Sequence, residues 1–257
     1  MNTRVFLIAA VVAVISTFSA TANHIPTAPA VVAEFAGRST LLIDLGRFDP
    51  LVEVEGRLED TNHEFRYRGL TAGTYLRLHK NLKAGAFYRI QQGARQDDDW
   101  IEPVADVWEW VDSRSRIEQV LILDVTPRFL LDFLPGKNWM FTVKNRYLYN
   151  TYSTQHSLMV RPGLSYFLMR NREPLFTFSL KYGFYIPLNF GETFLYEHEP
   201  YLSVLYHLNR SMKLELTGAY KTVTWSSSED SLANGDTYAV NYRAFVFGFG
   251  LLFPVTF

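Results

Sequence analysis

The sequence predicts an all-β fold, a closed antiparallel up-and-down β-barrel of about ten strands. Three observations lead to this prediction. Large apolar residues alternate with small or polar residues along strand-length segments. Compact turns alternate with longer polar connections, and the chain finishes on the alternating segment FVFGFGLLFPVTF. A pairing of segment 38–48 with residues 24–37 would give about twelve strands, which stays an alternative.

The predicted strands lie between two kinds of connection. The compact turns are 79–81, 134–138, 170–173 and 209–211, and the longer connections are 93–114, 151–155, 187–194 and 226–237. A barrel that crosses a membrane has short turns at one end and longer loops at the other, whereas a Greek-key sandwich is not expected to alternate in this way. The predicted strands are 51–59, 64–78, 82–92, 115–132, 139–150, 157–168, 174–186, 196–208, 212–225 and 238–257. Segment 38–48 extends the first strand, forms an extra strand or lies inside the barrel.

Each predicted strand has one apolar face and one polar face. In 51–59, Val52, Val54 and Leu58 oppose Glu53 and Glu55. The polar faces carry too many ionisable groups for a dry core, because each unpaired buried charge costs several kcal/mol. The apolar faces are too continuous to meet water around a whole domain. Lipid outside and a polar lumen inside satisfy both faces, so the sequence favours a transmembrane barrel over a soluble β-sandwich.

Both ends of the chain indicate export to the bacterial outer membrane. Residues 1–22 have the positive start, the apolar middle and the small residues before the cleavage point of a secretory signal peptide; an uncleaved anchor is the alternative. The last strand resembles the terminal signal of outer-membrane β-barrels, a glycine followed by spaced hydrophobic residues and a final aromatic residue. The residues that carry this resemblance are Gly248, Leu251, Phe253, Val255 and Phe257. A buried final strand of a soluble sandwich is the alternative.

The resemblance implies the cell outer membrane as location, with the lipid bilayer, lipopolysaccharide and the barrel-assembly machinery as partners. The expected organisation is a signal peptide over 1–22, a flexible periplasmic segment over 23–37 and the barrel over 38–257. The chain has no cysteine and a net charge of −1, so neither a disulfide scaffold nor bulk attraction to nucleic acid is expected. No metal or cofactor motif is present in the sequence, and none is predicted.

Charged residues of both signs are predicted to point into the lumen. Arg89, Arg146, Arg161 and Lys181 are expected at similar depth in a basic arc, and acids that include Glu197 and Glu199 are expected mainly on the other side. Lys144 and Asp124 are further predicted lumen residues, and Arg68 is also assigned inward. Separated arcs of opposite charge can select anions. Opposing charges that pair and fill a narrow interior are the alternative.

The leading functional hypothesis is a narrow porin or channel for small solutes, anions among them. In class, size and lumen basicity the chain is similar to the monomeric porins for acidic oligosaccharides. A closed barrel with a structural or adhesive role through its outer loops is the second hypothesis.

An outer-membrane hydrolase is the third and weakest hypothesis, and no enzyme activity is predicted. His156-Ser157 is similar to the His/Ser pairs of outer-membrane phospholipases and lipid A deacylases, but neighbouring residues of a strand point to opposite faces. The acidic run 97–99 with His63, His156 or His198 would suit an omptin-like protease, and a solvated acidic loop is the plainer interpretation.

Overall fold

The alternating segments form long strands that curve into one closed barrel. The computed structural model describes residues 31–59, 65–93, 102–104, 107–109, 117–136, 138–189, 195–226 and 239–256. Its strands are β1 Val32–Asp44, β2 Phe48–Glu59, β3 Phe65–His79, β4 Leu82–Gly93, β5 Glu102–Val104, β6 Val107–Glu109, β7 Glu118–Leu130, β8 Trp139–Asn150, β9 His156–Arg170, β10 Glu173–Pro187, β11 Glu197–Asn209, β12 Met212–Ser226 and β13 Ala239–Thr256. Strands β5 and β6 pair only with each other.

The prediction of an all-β closed barrel is confirmed, but the barrel has eleven strands. Their order is β1-β13-β12-β11-β10-β9-β8-β7-β4-β3-β2. The ten predicted strands are all present, with ends that differ from the prediction by a few residues at most. The eleventh strand is β1. It begins at Val32, inside the segment predicted as a flexible lead-in, and it ends within segment 38–48.

An odd number of strands makes the closure of the barrel parallel. In an up-and-down barrel with eleven strands the first and last strands run in the same direction, so β1 pairs with β13 in parallel from Val32↔Ala244 to Asp44↔Thr256. All other pairs in the barrel are antiparallel. The chain therefore enters the barrel at the end with the longer connections, the loop end. It leaves at the end with the short turns, the turn end.

The connections at the turn end are tight. Strands β9 and β10 are joined by Asn171 and Arg172, which have φ values of 54° and 67°. Positive φ at both central residues is the type I′ hairpin geometry, whose twist matches that of the flanking strands. The β1–β2 turn contains Gly46 with φ of 76°, and its N–H donates to Asp44 Oδ1 over 2.9 Å.

Alternation along each strand divides the barrel into an exposed apolar wall and a buried polar interior. In β7, Leu121, Leu123 and Val125 are exposed, whereas Ile122 and Asp124 are buried. The same two-residue period sets the outer face of β13, where Phe245, Phe247 and Phe249 are about half exposed.

One inward assignment, that of Arg68, is wrong. Arg68 shares its face of β3 with the exposed Leu70 and donates to Gln92 Oε1 over 2.8 Å on the outer wall. Arg68 has an even number, and the even-numbered residues of β3 point outward with the exposed apolar side chains.

Some predictions concern residues that are not described. Residues 1–30, which hold the predicted signal peptide and part of the lead-in, lie outside the described ranges, as does Phe257. Within the described residues, no helix is long and apolar enough to cross a membrane.

Candidate functional site: the polar interior

The interior of the barrel is crossed by three clusters of paired charges, and the first is centred on Asp124 of β7. Asp124 is 1% exposed and accepts from Arg146 Nε over 2.8 Å and from Thr126 Oγ1 over 2.6 Å. Lys144 Nζ lies 3.6 Å from the same carboxylate. Strands β7 and β8 pair Asp124 directly with Arg146, so adjacent inward positions bring these charges together.

The second cluster surrounds Arg161 of β9. Its Nη2 donates to Tyr185 Oη over 2.7 Å and lies 3.6 Å from Glu199 Oε2. The guanidinium also lies over the Tyr201 ring, 4.9 Å from its centroid, and Lys181 Nζ lies 5.1 Å from the same centroid. Tyr201 therefore joins two predicted lumen cations by cation–π contacts.

The third cluster spans the parallel pairing of β1 with β13, which we call the seam. Lys221 of β12 donates to Glu34 of β1 over 2.6 Å, and both side chains are fully buried. Arg57 of β2 lies 3.5 Å from the other oxygen of Glu34 and donates to Glu55 over 3.0 Å. A second pair across the seam joins Arg38 of β1 to Glu215 of β12, so here β1 supplies the base and β12 the acid.

Small residues on the inner face of β13 make room for these crossings. The seam pairs join β1 to β12, so their side chains pass over β13, whose inward residues include Ala244, Gly248 and Gly250. A Cβ added at Gly250 would lie 3.3 Å from Glu215 Cβ and 3.9 Å from Arg38 Nε. The small residues that alternate with phenylalanine in the last strand thus have a packing role inside the barrel.

A buried apolar cluster fills part of the interior as well. It is formed by inward residues of several strands, together with Tyr196 before β11, and its members are Tyr75, Phe87, Val120, Ile122, Leu148, Met159, Tyr185, Tyr196 and Val223. Close to the Arg161 cluster and the seam, a cavity of about 70 Å³ lies between Arg38, Arg57, Arg161 and Glu215. That volume holds only a few water molecules.

The predicted lumen residues named above, other than Arg68, lie on inward faces, but the separation of basic and acidic arcs is wrong. Arg161 and Glu199, expected on different sides, are within ion-pair distance. Arg89 is 2% exposed and donates to Thr71 Oγ1 over 3.1 Å, and Glu197 is 2% exposed. The strands tilt and stagger around a barrel, so depth counted along the chain does not decide which charges meet.

The sequence interpretation missed Glu34 as an interior residue because β1 was not recognised as a strand. A signal was present: Phe35 and Leu41 alternate with Glu34, Arg38 and Thr40. The alanines of this segment weakened the apolar face. Tyr185 on β10 and Tyr201 on β11 were missed as partners of Arg161 because strand tilt and stagger decide which inward side chains meet.

The histidines considered for hydrolysis lie on the outer wall. His156 contacts the hydroxyl of Tyr147 through Nδ1 and stacks on Tyr149 with ring centroids 4.7 Å apart. His198 Nδ1 lies 2.9 Å from Tyr182 Oη. Ser157 follows His156 in β9 and points to the opposite face. His63 and residues 97–99 lie outside the described residues.

The last-strand residues of the predicted assembly signal are described except for Phe257. Gly248 faces inward and packs beside Thr217 of β12. Leu251, Phe253 and Val255 continue the outward row of Phe245, Phe247 and Phe249. Their role in assembly stays a prediction.

The described part of the chain is therefore a closed all-β barrel with an apolar outer wall and an ion-paired interior. No protein-family model matches the chain, and no curated protein matches it.

Proposed function

We propose that this protein is an outer-membrane β-barrel with a closed interior, which serves as a structural element of the envelope and presents its long connections at the loop end. The observation that carries the proposal is the inversion of its two faces. Large apolar side chains are exposed around the outer wall, and ionisable side chains such as Lys221, Glu34 and Asp124 are buried inside. A water-soluble protein rarely exposes so large an apolar surface.

The height of the apolar wall supports the same proposal. On β13 the outward residues from Phe245 to Val255 are all apolar, and Arg243 precedes them on the same face. About ten residue steps of roughly 3.3 Å, in a strand tilted by about 40°, span about 25 Å. That is the apolar height of outer-membrane barrels.

Aromatic residues near both ends of the wall fit the two membrane interfaces. At the turn end, Trp139 and Tyr166 lie with ring centroids 4.8 Å apart. At the loop end, Tyr147, Tyr149 and Tyr182 lie beside histidines. Tyr and Trp concentrate at interfaces because their rings are apolar and their polar atoms reach water.

The filling of the interior favours a closed barrel over an open pore. Each of the three clusters contains ion pairs, and the buried apolar cluster occupies further space. Planar-bilayer recordings of the refolded protein test this proposal, and no discrete conductance is expected at any voltage. Stable channels in every preparation would contradict a closed barrel.

A narrow channel for small anions is the second candidate. It is favoured by the charges on the inward faces of β4, β7 and β8, where five cations outnumber two acids. The cations are Lys83, Arg89, Arg128, Lys144 and Arg146, and the acids are Glu118 and Asp124. A small conductance with anion selectivity in the recordings above would replace the closed-barrel proposal with this one.

A further inference from the structure

A separate cavity opens among inward residues at the turn end of the barrel. Its volume is about 390 Å³, and its lining includes Leu42, Asp49, Arg77, Lys83 and Arg128. None of the charged residues of the three ion-pair clusters described above lines it. We call it the turn-end cavity. Pockets of this size bind small organic molecules in other proteins.

Two of the cations in the turn-end cavity have no carboxylate partner among the described residues. Lys83 Nζ lies over the Tyr75 ring, 3.9 Å from its centroid. Arg128 donates through Nε to the carbonyl oxygen of Lys80 over 2.8 Å, which leaves its two Nη groups for other acceptors. Both charges are thus held by groups that orient them without neutralising them.

The third cation of the cavity, Arg77, is already neutralised. Its Nη2 lies 2.7 Å from Asp49 Oδ1 and 3.0 Å from Asp44 Oδ2. These two carboxylates are within ion-pair distance of Arg77, whereas Asp49 and Asp124 attract Lys83 only at longer range. The cavity therefore combines a partly apolar wall with an excess of positive charge, since Arg77, Lys83 and Arg128 outnumber Asp49 in its lining. This arrangement attracts an anion.

We propose that the turn-end cavity is a binding site for a small oxyanion, a phosphate- or carboxylate-bearing molecule held by Lys83 and Arg128. Arg128 offers the planar donor pair that suits such groups, and Lys83 adds a point charge from the neighbouring strand β4. Leu42 and Leu82 give the apolar surface against which an organic part of the ligand would pack. Binding at this site requires no passage through the barrel, so it does not depend on whether the interior conducts.

Calorimetric titration of the refolded, full-length protein in detergent tests this proposal. Inorganic phosphate and citrate are the two probes, and they distinguish phosphate from carboxylate recognition. We expect saturable binding of one or both, weakened about tenfold or more in Lys83→Gln and in Arg128→Gln. Arg210→Gln is the matched control, because Arg210 is a cation at the turn end that pairs with Glu173 and does not line the cavity.

The test does not depend on the folding of the Lys83→Gln variant, because the native protein and Arg128→Gln decide it. Arg128 is exposed, so its substitution is expected to leave the barrel intact, and the folded band on unheated gels verifies this. No binding of either probe by the native protein would overturn the proposal. So would binding that is unchanged in Arg128→Gln or equally weakened in Arg210→Gln. The closed-barrel proposal is tested by bilayer conductance and the oxyanion site by calorimetry, so failure of one proposal is distinguished from failure of the other.

Discussion

Lys221 Nζ lies 2.6 Å from Glu34 Oε1, although 187 residues separate the two positions in sequence. The pair joins β12 to β1 across the inner face of β13. A second pair, Arg38 with Glu215, joins the same two strands with the charges reversed. Each strand therefore supplies one acid and one base. A shift of β1 along β13 would break both pairs, so we infer that these charges help to specify the register of the parallel closure.

Removal of one partner from the seam is expected to destabilise the barrel. Lys221→Met should lower the free energy of unfolding by about 3 kcal/mol, because it removes one cation from a buried ion pair. Glu34→Gln should cost more, since it leaves Lys221 and Arg57 without their shared carboxylate. Urea unfolding in lipid vesicles measures both values.

The control for the seam is an exposed ion pair. Glu173 and Arg210 join two turns, and their side chains are 61% and 88% exposed. Arg210→Gln should change the free energy of unfolding by less than about 1 kcal/mol, because exposed pairs contribute little. Equal effects at Lys221 and Arg210 would show that burial of the seam pair is unimportant.

Charge on the outer wall should be costly only at the middle of the apolar belt. Leu123 lies in the outward row of β7 and is 56% exposed, and Ile117 lies on the same face at the loop end and is 65% exposed. Leu123→Arg should destabilise the folded protein in vesicles by about 2–4 kcal/mol, and Ile117→Arg by about 1 kcal/mol or less. A water-soluble barrel would tolerate the two substitutions equally.

The packing role of Gly248 can be separated from its predicted role in assembly. A Cβ at Gly248 would clash with the Thr217 hydroxyl, whereas Gly218 on the outer face of β12 has no heavy atom within 4 Å of such a Cβ. Gly248→Val should lower the free energy of unfolding by about 1–3 kcal/mol, and Gly218→Val should be neutral. Refolding yields without assembly machinery, compared with cellular yields, show whether any further loss belongs to assembly.

Widening the interior near Arg161 should open the barrel to ions. Arg161→Ala combined with Tyr201→Ala removes a guanidinium and the ring on which it lies, and both side chains line the 70 Å³ cavity. We expect a measurable conductance in planar bilayers from the double variant. The double variant Ser165→Ala with Ser179→Ala, which removes a hydrogen-bonded pair elsewhere inside the barrel, should stay closed.

Local sequence patterns predicted the positions of the strands better than they predicted which charged residues would pair. Segment 139–150 was predicted at the bounds that β8 has, and β7 shows the predicted alternation of buried and exposed residues. Both features depend on a two-residue period and on turn composition, which are local. Arg161 and Glu199 lie on β9 and β11, on either side of β10, and their contact depends on the tilt and stagger of these strands. The sequence of one strand does not contain that information.

The sequence determined that the chain forms a barrel with an apolar outer face and a polar inner face, because side-chain alternation is a property of each strand. Only the tertiary structure decided that there are eleven strands and that β1 closes in parallel on β13. The physical reason is that β1 is a weak strand in isolation. It is held by backbone pairing on both edges and by the burial of Glu34 against Lys221, and these partners are supplied by the far end of the chain.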